Sequence, residues 1–325
     1  MSNVAEAMLK IISPIQEDLL EVDRCVMNDL QSDVALIKKI SDYIVSAGGK
    51  RMRPVVLLLL ARAMGYKGND HVFLATMIEY VHTASLLHDD VVDESDLRRG
   101  KPTACFKWGN AAAVLSGDYM YSRAFQLMVR TNNLRICEIV ADAVNRVSEG
   151  EVIQLLNIHD TTVDESRYLD VIERKTGVLF EAAARMAATI AGATPEMEEN
   201  AARYALALGR AFQIIDDVLD YTGTANIGKN LGGDLREGKM TMPLIYALRN
   251  CSEEEAKLIK DAVAAGEGDL DQIVAILKKT GAIESCIQMA REEVAGGIEA
   301  LSELPASQFK ESLVQLLSLT VERDK

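Results

Sequence analysis

A large all-α helical bundle is the fold the sequence predicts, and three observations carry that prediction. Apolar residues recur at three- and four-residue spacing along almost the whole 325-residue chain. The 6 prolines, 21 glycines and 5% aromatic residues suit neither the turns nor the strands of an all-β protein. No segment alternates polar and apolar residues for long enough to make a convincing strand.

Taken in order, the spacing gives helices over 4–31 and 33–46, stopped by the Gly48-Gly49 pair. A helix over 53–64 follows, with Lys50, Arg51 and Arg53 at its mouth. The next, over 70–94, runs apolar into a cluster of aspartates. Helices over 109–129, 132–157 and 164–191 come next, the last interrupted by the polar pair Lys175-Thr176. The helix over 195–222 ends, like 70–94, in aspartates, and a Gly-rich loop spans Gly228 to Gly238. Shorter helices over 241–249, 253–265, 269–280, 281–302 and 306–322 complete the chain. No low-complexity linker or shift of composition splits it, so residues 1–325 are expected to form a single domain.

Composition narrows the function. The net charge of −14 argues against a general nucleic-acid binder, which needs a basic footprint, but leaves room for a local cationic pocket. Cys25, Cys105, Cys137, Cys251 and Cys286 lie far apart with no CxxC, so neither a thiolate zinc site nor a disulfide framework is expected, and a reducing cytoplasm is the natural compartment. The N-terminal stretch does not read as a signal peptide. The longest apolar run, Val55 to Ala61, falls far short of the roughly 20 residues that span a bilayer.

Two helices end alike, in Asp89-Asp90-Val91-Val92-Asp93 and Asp216-Asp217-Val218-Leu219-Asp220. Positions i and i+4 share a helix face, so Asp89 points with Asp93 and Asp216 with Asp220, at a repulsive cost of ~0.2–0.5 kcal/mol per pair. The negative end of the helix dipole disfavours carboxylates there by a further ~0.3–1 kcal/mol each. One such cluster would read equally well as a solvated acidic face. Two, both at the unfavourable end of apolar helices, point to a bound cation. Oxygen ligands without His or Cys select magnesium, which keeps waters and takes one or two carboxylates plus phosphate oxygens. Cations suited to that phosphate gather nearby in sequence: Lys50, Arg51 and Arg53, the Arg98-Arg99 pair, Lys175, and Lys229 and Lys239 about the Gly-rich loop. His82 lies two turns before Asp89 on the acidic stripe.

GGKRMRP, VHTASLLHDDVVDESDLRRG, Lys175-Thr176, FQIIDDVLDYTG and GKNLGGDLREGKMTMP occur in the order seen in trans (E-type) polyprenyl diphosphate synthases, and over about residues 15–322 the chain resembles that family, its long-chain bacterial members most. No motif position departs from the family pattern. The resemblance implies the isoprenoid synthase fold about a central cavity, a homodimer, Mg2+, and condensation of an allylic diphosphate, farnesyl diphosphate as primer, with successive isopentenyl diphosphate units. It further implies that Asp89, Asp93 and Asp216 hold magnesium, with Asp90, Asp217 and Asp220 as weaker ligands or supports. Arg98, Lys175, Thr176, Gln213, Lys229 and Lys239 would contact the allylic diphosphate, and Lys50, Arg53, His82 and Arg99 would hold isopentenyl diphosphate. Asp89, Asp93, Lys175, Asp216 and Lys229 would carry the chemistry.

One turn before Asp89 stand Ser85 and Ala84, both small. Bulky aromatics near this place block the tail in short-chain members, so an open path and a C40 product within a C30–C50 range are expected, destined for a quinone side chain. Phe125 or Met128 would make the floor. The competing readings are a terpene cyclase or shorter-chain synthase, a non-catalytic helical subunit of such a synthase, and an acidic divalent-ion buffer. Product analysis separates the first. Intact Asp motifs count against the second, and the basic motifs against the third.

Overall fold

The computed structural model describes residues 3–46, 48–98, 100–223 and 231–322. The chain divides into two compact units, one comprising Met1–Val144, Leu179–Ala202 and Glu303–Gln315, the other Asn145–Val178, Arg203–Ser302 and Leu316–Lys325.

In the first unit, α4 (Met52–Ala63) is the centre of the core. Its segment Val55–Ala61 is apolar on every face and essentially without solvent exposure, as a helix surrounded by others must be. The 23-residue α5 (Asp70–Val92), roughly 34 Å at 1.5 Å per residue, packs on α4, on α2 (Gln16–Asp29) and most extensively on α7 (Asn110–Arg130). A polar staple closes this packing. Asp18 of α2 receives Arg62 of α4 through two hydrogen bonds, 2.6 and 2.8 Å, and lies 3.0 Å from the buried His71 of α5. These contacts hold the Asp18 carboxyl below its usual range, although burial opposes them and is the largest single influence.

The second unit is built about α11 (Pro195–Thr222), with Ile214, Ile215 and Val218 in one core with α13 (Met242–Asn250), α14 (Glu253–Ala265), α15 (Leu270–Lys279) and α16 (Ala282–Ala300). Ser252 and Glu255 cap α14 reciprocally, side chain to backbone in both directions.

Helix boundaries, those of α3 (Ala35–Ser46) and α8 (Leu134–Asn157) included, follow the sequence periodicity, with four differences. The segment expected as one helix over 4–31 is two, α1 (Asn3–Ile12) and α2, with a 3₁₀ turn at Ser13–Ile15 where Pro14 has no N–H to continue the ladder. The segment 164–191 contains a π-helical turn, Glu173–Gly177, between α9 (Glu165–Ile172) and α10 (Val178–Ala191). An antiparallel ribbon pairs β1 (Leu97–Arg98) with β2 (Lys101–Pro102), in the register Leu97 to Pro102 and Arg98 to Lys101. Strands of two residues are too short to leave an alternation in the sequence. The short helices α6 (Ala104–Trp108) and α12 (Gly233–Arg236) were likewise not expected.

Candidate active site

At the end of α5, the Asp93 amide still donates to the Asp89 carbonyl at 2.8 Å, so the helical register that aligns the two side chains persists to Asp93. Both are half-buried. Asp90 turns the other way. Only 4% exposed, it accepts the Arg98 Nε hydrogen bond at 2.6 Å. Burial raises its carboxyl above the usual range, the Arg98 charge opposes that rise, and Asp89 and Asp93 add to it. The ribbon that carries Arg98 is anchored by Thr103, whose hydroxyl donates to the Ser95 carbonyl at 2.6 Å and whose amide donates to the Asp96 carbonyl at 2.9 Å. Asp90 is thus committed to placing Arg98, while Asp89 and Asp93 share the stripe that suits a metal.

The GGKRMRP loop enters α4 through two left-handed residues, Gly48 (φ 70°) and Arg51 (φ 49°, ψ 32°). For arginine that conformation costs roughly 1–2 kcal/mol. Lys50 is exposed. The Arg53 guanidinium stacks 4.6 Å from the Phe180 ring centre, and its Nε is buried without a hydrogen-bond partner. Burial pushes Arg53 down to about 10, against the favourable charge of Glu79. His82 is half-buried on α5, and its carbonyl accepts the Ser85 hydroxyl at 2.9 Å. A cavity in this unit is lined by Gly48, Arg51, Glu79, His82, Asp90 and Arg98 among others, so it runs from the GGKRMRP loop to the ribbon.

Of the small residues before Asp89, Ala84 is fully buried and Ser85 half-buried. Phe125 corrects the expected floor. At 40% exposure it stacks on Tyr121, ring centres 6.3 Å apart, and is not an enclosed side chain; Met128 is half-buried. Tyr121 lies 5.8 Å from His88, whose ring leaves no room for a Cβ at Gly117. No pattern of residue types announces this aromatic row beside α5.

In the second unit the last turns of α11 sort their aspartates similarly. Asp217 is buried and accepts from Tyr168 Oη at 2.6 Å and from Gln213 Nε2 at 2.8 Å. Burial raises its carboxyl to about 7, with Asp216 and Asp220 adding to the rise while Tyr168 and Gln213 oppose it. Asp220 accepts the amides of Gly233 (3.1 Å) and Asp234 (3.0 Å), so it fixes the entry to α12. Asp216 is half-buried. Asp234, which lies within the GKNLGGDLREGKMTMP motif but is given no role by it, has its carboxyl raised well above the usual range by burial and by Asp217 and Asp220.

The π turn presents Lys175 and Thr176. Thr176 Oγ1 donates to Gln213 Oε1 at 3.1 Å, extending a polar chain through Asp217 to Tyr168. Lys175 Nζ is held by Glu151 at 2.7 Å, and Lys239 Nζ by Glu237. Together with Asp90 on Arg98, each described cation expected at the allylic diphosphate has a carboxylate fixing it. Glu151, 24 positions from its lysine, left no sequence signal. Arg99 and Lys229 lie outside the described residues.

Among the described residues, no three His, Cys, Asp or Glu side chains form a ready-made metal cage. The donors nonetheless fit magnesium: carboxylate oxygens only, one or two per ion, with the remaining positions left to water and phosphate. A closed cage would have fitted a structural metal instead.

The chain is similar to known proteins along most of its length. A family model described as Polyprenyl synthetase matches residues 34–280. The chain is 46% identical over 319 residues to octaprenyl diphosphate synthase of Escherichia coli K12, covering 97% of this chain and 99% of that one. It is 44% identical over 316 residues to all-trans-nonaprenyl-diphosphate synthase (geranyl-diphosphate specific) of Rhodobacter capsulatus, covering 96% and 97%. A crystal structure of polyprenyl synthase from Caulobacter crescentus CB15, complexed with calcium and isoprenyl diphosphate, superposes with a TM-score of 0.94 at 38% identity over 98% of each chain.

Proposed function

Because the chain belongs to the polyprenyl synthetase family, we propose that it extends farnesyl diphosphate with isopentenyl diphosphate to a C40 product for a quinone side chain. It is a prenyltransferase of the isoprenoid synthase fold that makes long-chain polyprenyl diphosphates. The 46% identity to an octaprenyl synthase supports C40, and the 44% identity to a nonaprenyl synthase marks C45 as the nearest competing outcome.

In this reading Asp89, Asp93 and Asp216 hold Mg2+, whose positive charge, when bound, stabilises the departing diphosphate. Arg98, Lys175, Thr176, Gln213, Lys229 and Lys239 fix that diphosphate, while Lys50, Arg53, His82 and Arg99 orient isopentenyl diphosphate. The allylic C–O bond breaks, a carbon–carbon bond forms to the isopentenyl double bond, and the released diphosphate takes the proton. No side-chain nucleophile is required. The chain's residues supply charge aimed at the leaving group. The observation that carries the reading is that Asp90 and Asp217 are buried on Arg98, Tyr168 and Gln213, while Asp89, Asp93 and Asp216 stand half-buried at the ends of their helices. The two units work as one catalytic domain.

Exposed Leu115, Val129 and Leu134 give the first unit an apolar face suited to a second copy of the chain, supporting a homodimer that light scattering would detect at twice the 35.6 kDa chain mass. Free cysteines agree with a cytoplasmic setting, and no helix among the described residues is long and apolar enough to cross a membrane.

The test is one incubation with farnesyl diphosphate, excess labelled isopentenyl diphosphate and Mg2+, resolved by product length. C40 is expected, with loss of turnover on chelation. Absence of elongation would sink the reading. In the same assay Ser85→Phe is expected to shorten the product.

A further inference from the structure

The GGKRMRP loop holds three cations, and the structure gives one of them a different task. Arg51 sits in the left-handed region, where its Cβ crowds the following carbonyl, and such a conformation persists only when its surroundings impose it. What imposes it is on α5. Arg51 NH1 donates to Glu79 Oε1 at 2.8 Å, with side chains only 20% and 10% exposed. A weaker approach of NH2 to Asp23, at 3.5 Å, involves a largely exposed carboxylate. Glu79 and Asp90 stand 11 residues apart, three turns along one helix, and both line the same cavity. Each receives one arginine, Arg51 from the loop before α4 and Arg98 from the ribbon. One helix face therefore anchors both cation-bearing segments.

We propose that Arg51 and Glu79 are a positioning pair that sets Lys50 and Arg53 for isopentenyl diphosphate, with Arg51 not itself a diphosphate ligand. This rests on the isopentenyl-diphosphate role given above to Lys50 and Arg53. The pair locks the left-handed turn, and the turn decides where α4 begins and which way its first cations leave the backbone. Small misplacements of binding groups have large kinetic effects.

The test is steady-state kinetics on the full chain with Arg51→Ala, Glu79→Gln, the double variant and Arg51→Gly. Both single variants should raise KM for isopentenyl diphosphate by about tenfold. KM for the allylic diphosphate should stay near the parent's, and Glu79→Gln, which strands no carboxylate, should keep the melting temperature near the parent's while Arg51→Ala lowers it. The double variant should be no worse than the worse single, since the two act through one contact. Arg51→Gly should be milder than Arg51→Ala, because glycine takes the left-handed turn freely. A KM effect of Arg51→Ala that Glu79→Gln does not share would make Arg51 a direct ligand and overturn the proposal. So would an unchanged KM, or a parallel loss in both substrates together with thermal stability. Should Arg51→Ala not fold, the near-isosteric Glu79→Gln decides. A parent chain that fails to elongate would instead count against the proposed reaction.

Discussion

The ends of α5 and α11 spell the same DDxxD, and the protein treats them differently. The middle aspartate of α5, Asp90, is neutralised by a cation, Arg98. Its counterpart in α11, Asp217, is surrounded by neutral donors, Tyr168 and Gln213, and its carboxyl rises to about 7. The last aspartates differ too. Asp93 closes its own helix, whereas Asp220 accepts two amides from the turn that opens α12. Identical letters thus perform different electrostatic work: one cluster fixes a cation for the ligand, the other organises a loop and a polar chain.

The comparison breaks first at the residues common to both clusters. Asp89→Asn and Asp216→Asn should each lower kcat/KM by on the order of 10³-fold, with little change in melting temperature, since both side chains are only half-buried. A loss confined to one of them in steady-state assays would show that the clusters do not share the chemistry.

Removing the two anchors sharpens the contrast. Arg98→Ala strands a buried carboxylate and should cost roughly 2–3 kcal/mol in denaturant unfolding, less than for a fully buried pair because Arg98 is about a third exposed. Tyr168→Phe removes one neutral hydrogen bond and should cost about 1 kcal/mol. Equal losses would erase the distinction drawn between them.

The contrast extends to pH. Asp217 carries a folded-state value of about 7 against roughly 3.9 unfolded, so the folded form holds its proton more tightly. Its contribution is fully present below pH ~4 and is lost as pH rises through 7. Without metal, calorimetric stability should therefore fall across that window, and Asp217→Asn should flatten the fall. Asp90→Asn should flatten it less, because Arg98 holds down the rise.

Much of this is legible in the amino-acid order. Helical periodicity locates the long helices because each buries a face, and the i, i+4 rule alone places Asp89 with Asp93. Periodicity assigns a face but not a partner. That Asp90 meets Arg98 depends on a two-residue ribbon, and that Asp217 meets Tyr168 depends on another helix 49 positions earlier. The separate fates of Arg51 and Arg53, two residues apart, depend on a backbone sign that arginine does not advertise. Phe125 is expected inside on residue type alone, and packing on Tyr121 leaves it outside.

The encircled α4 has a consequence for hydrogen exchange. With Val55–Ala61 walled in on all sides, its amides should trade protons with solvent only when the whole first unit opens, making this segment the slowest in that unit. The GGKRMRP loop runs straight into that helix, so an incoming charged substrate should find Arg53 mounted on the segment that opens last.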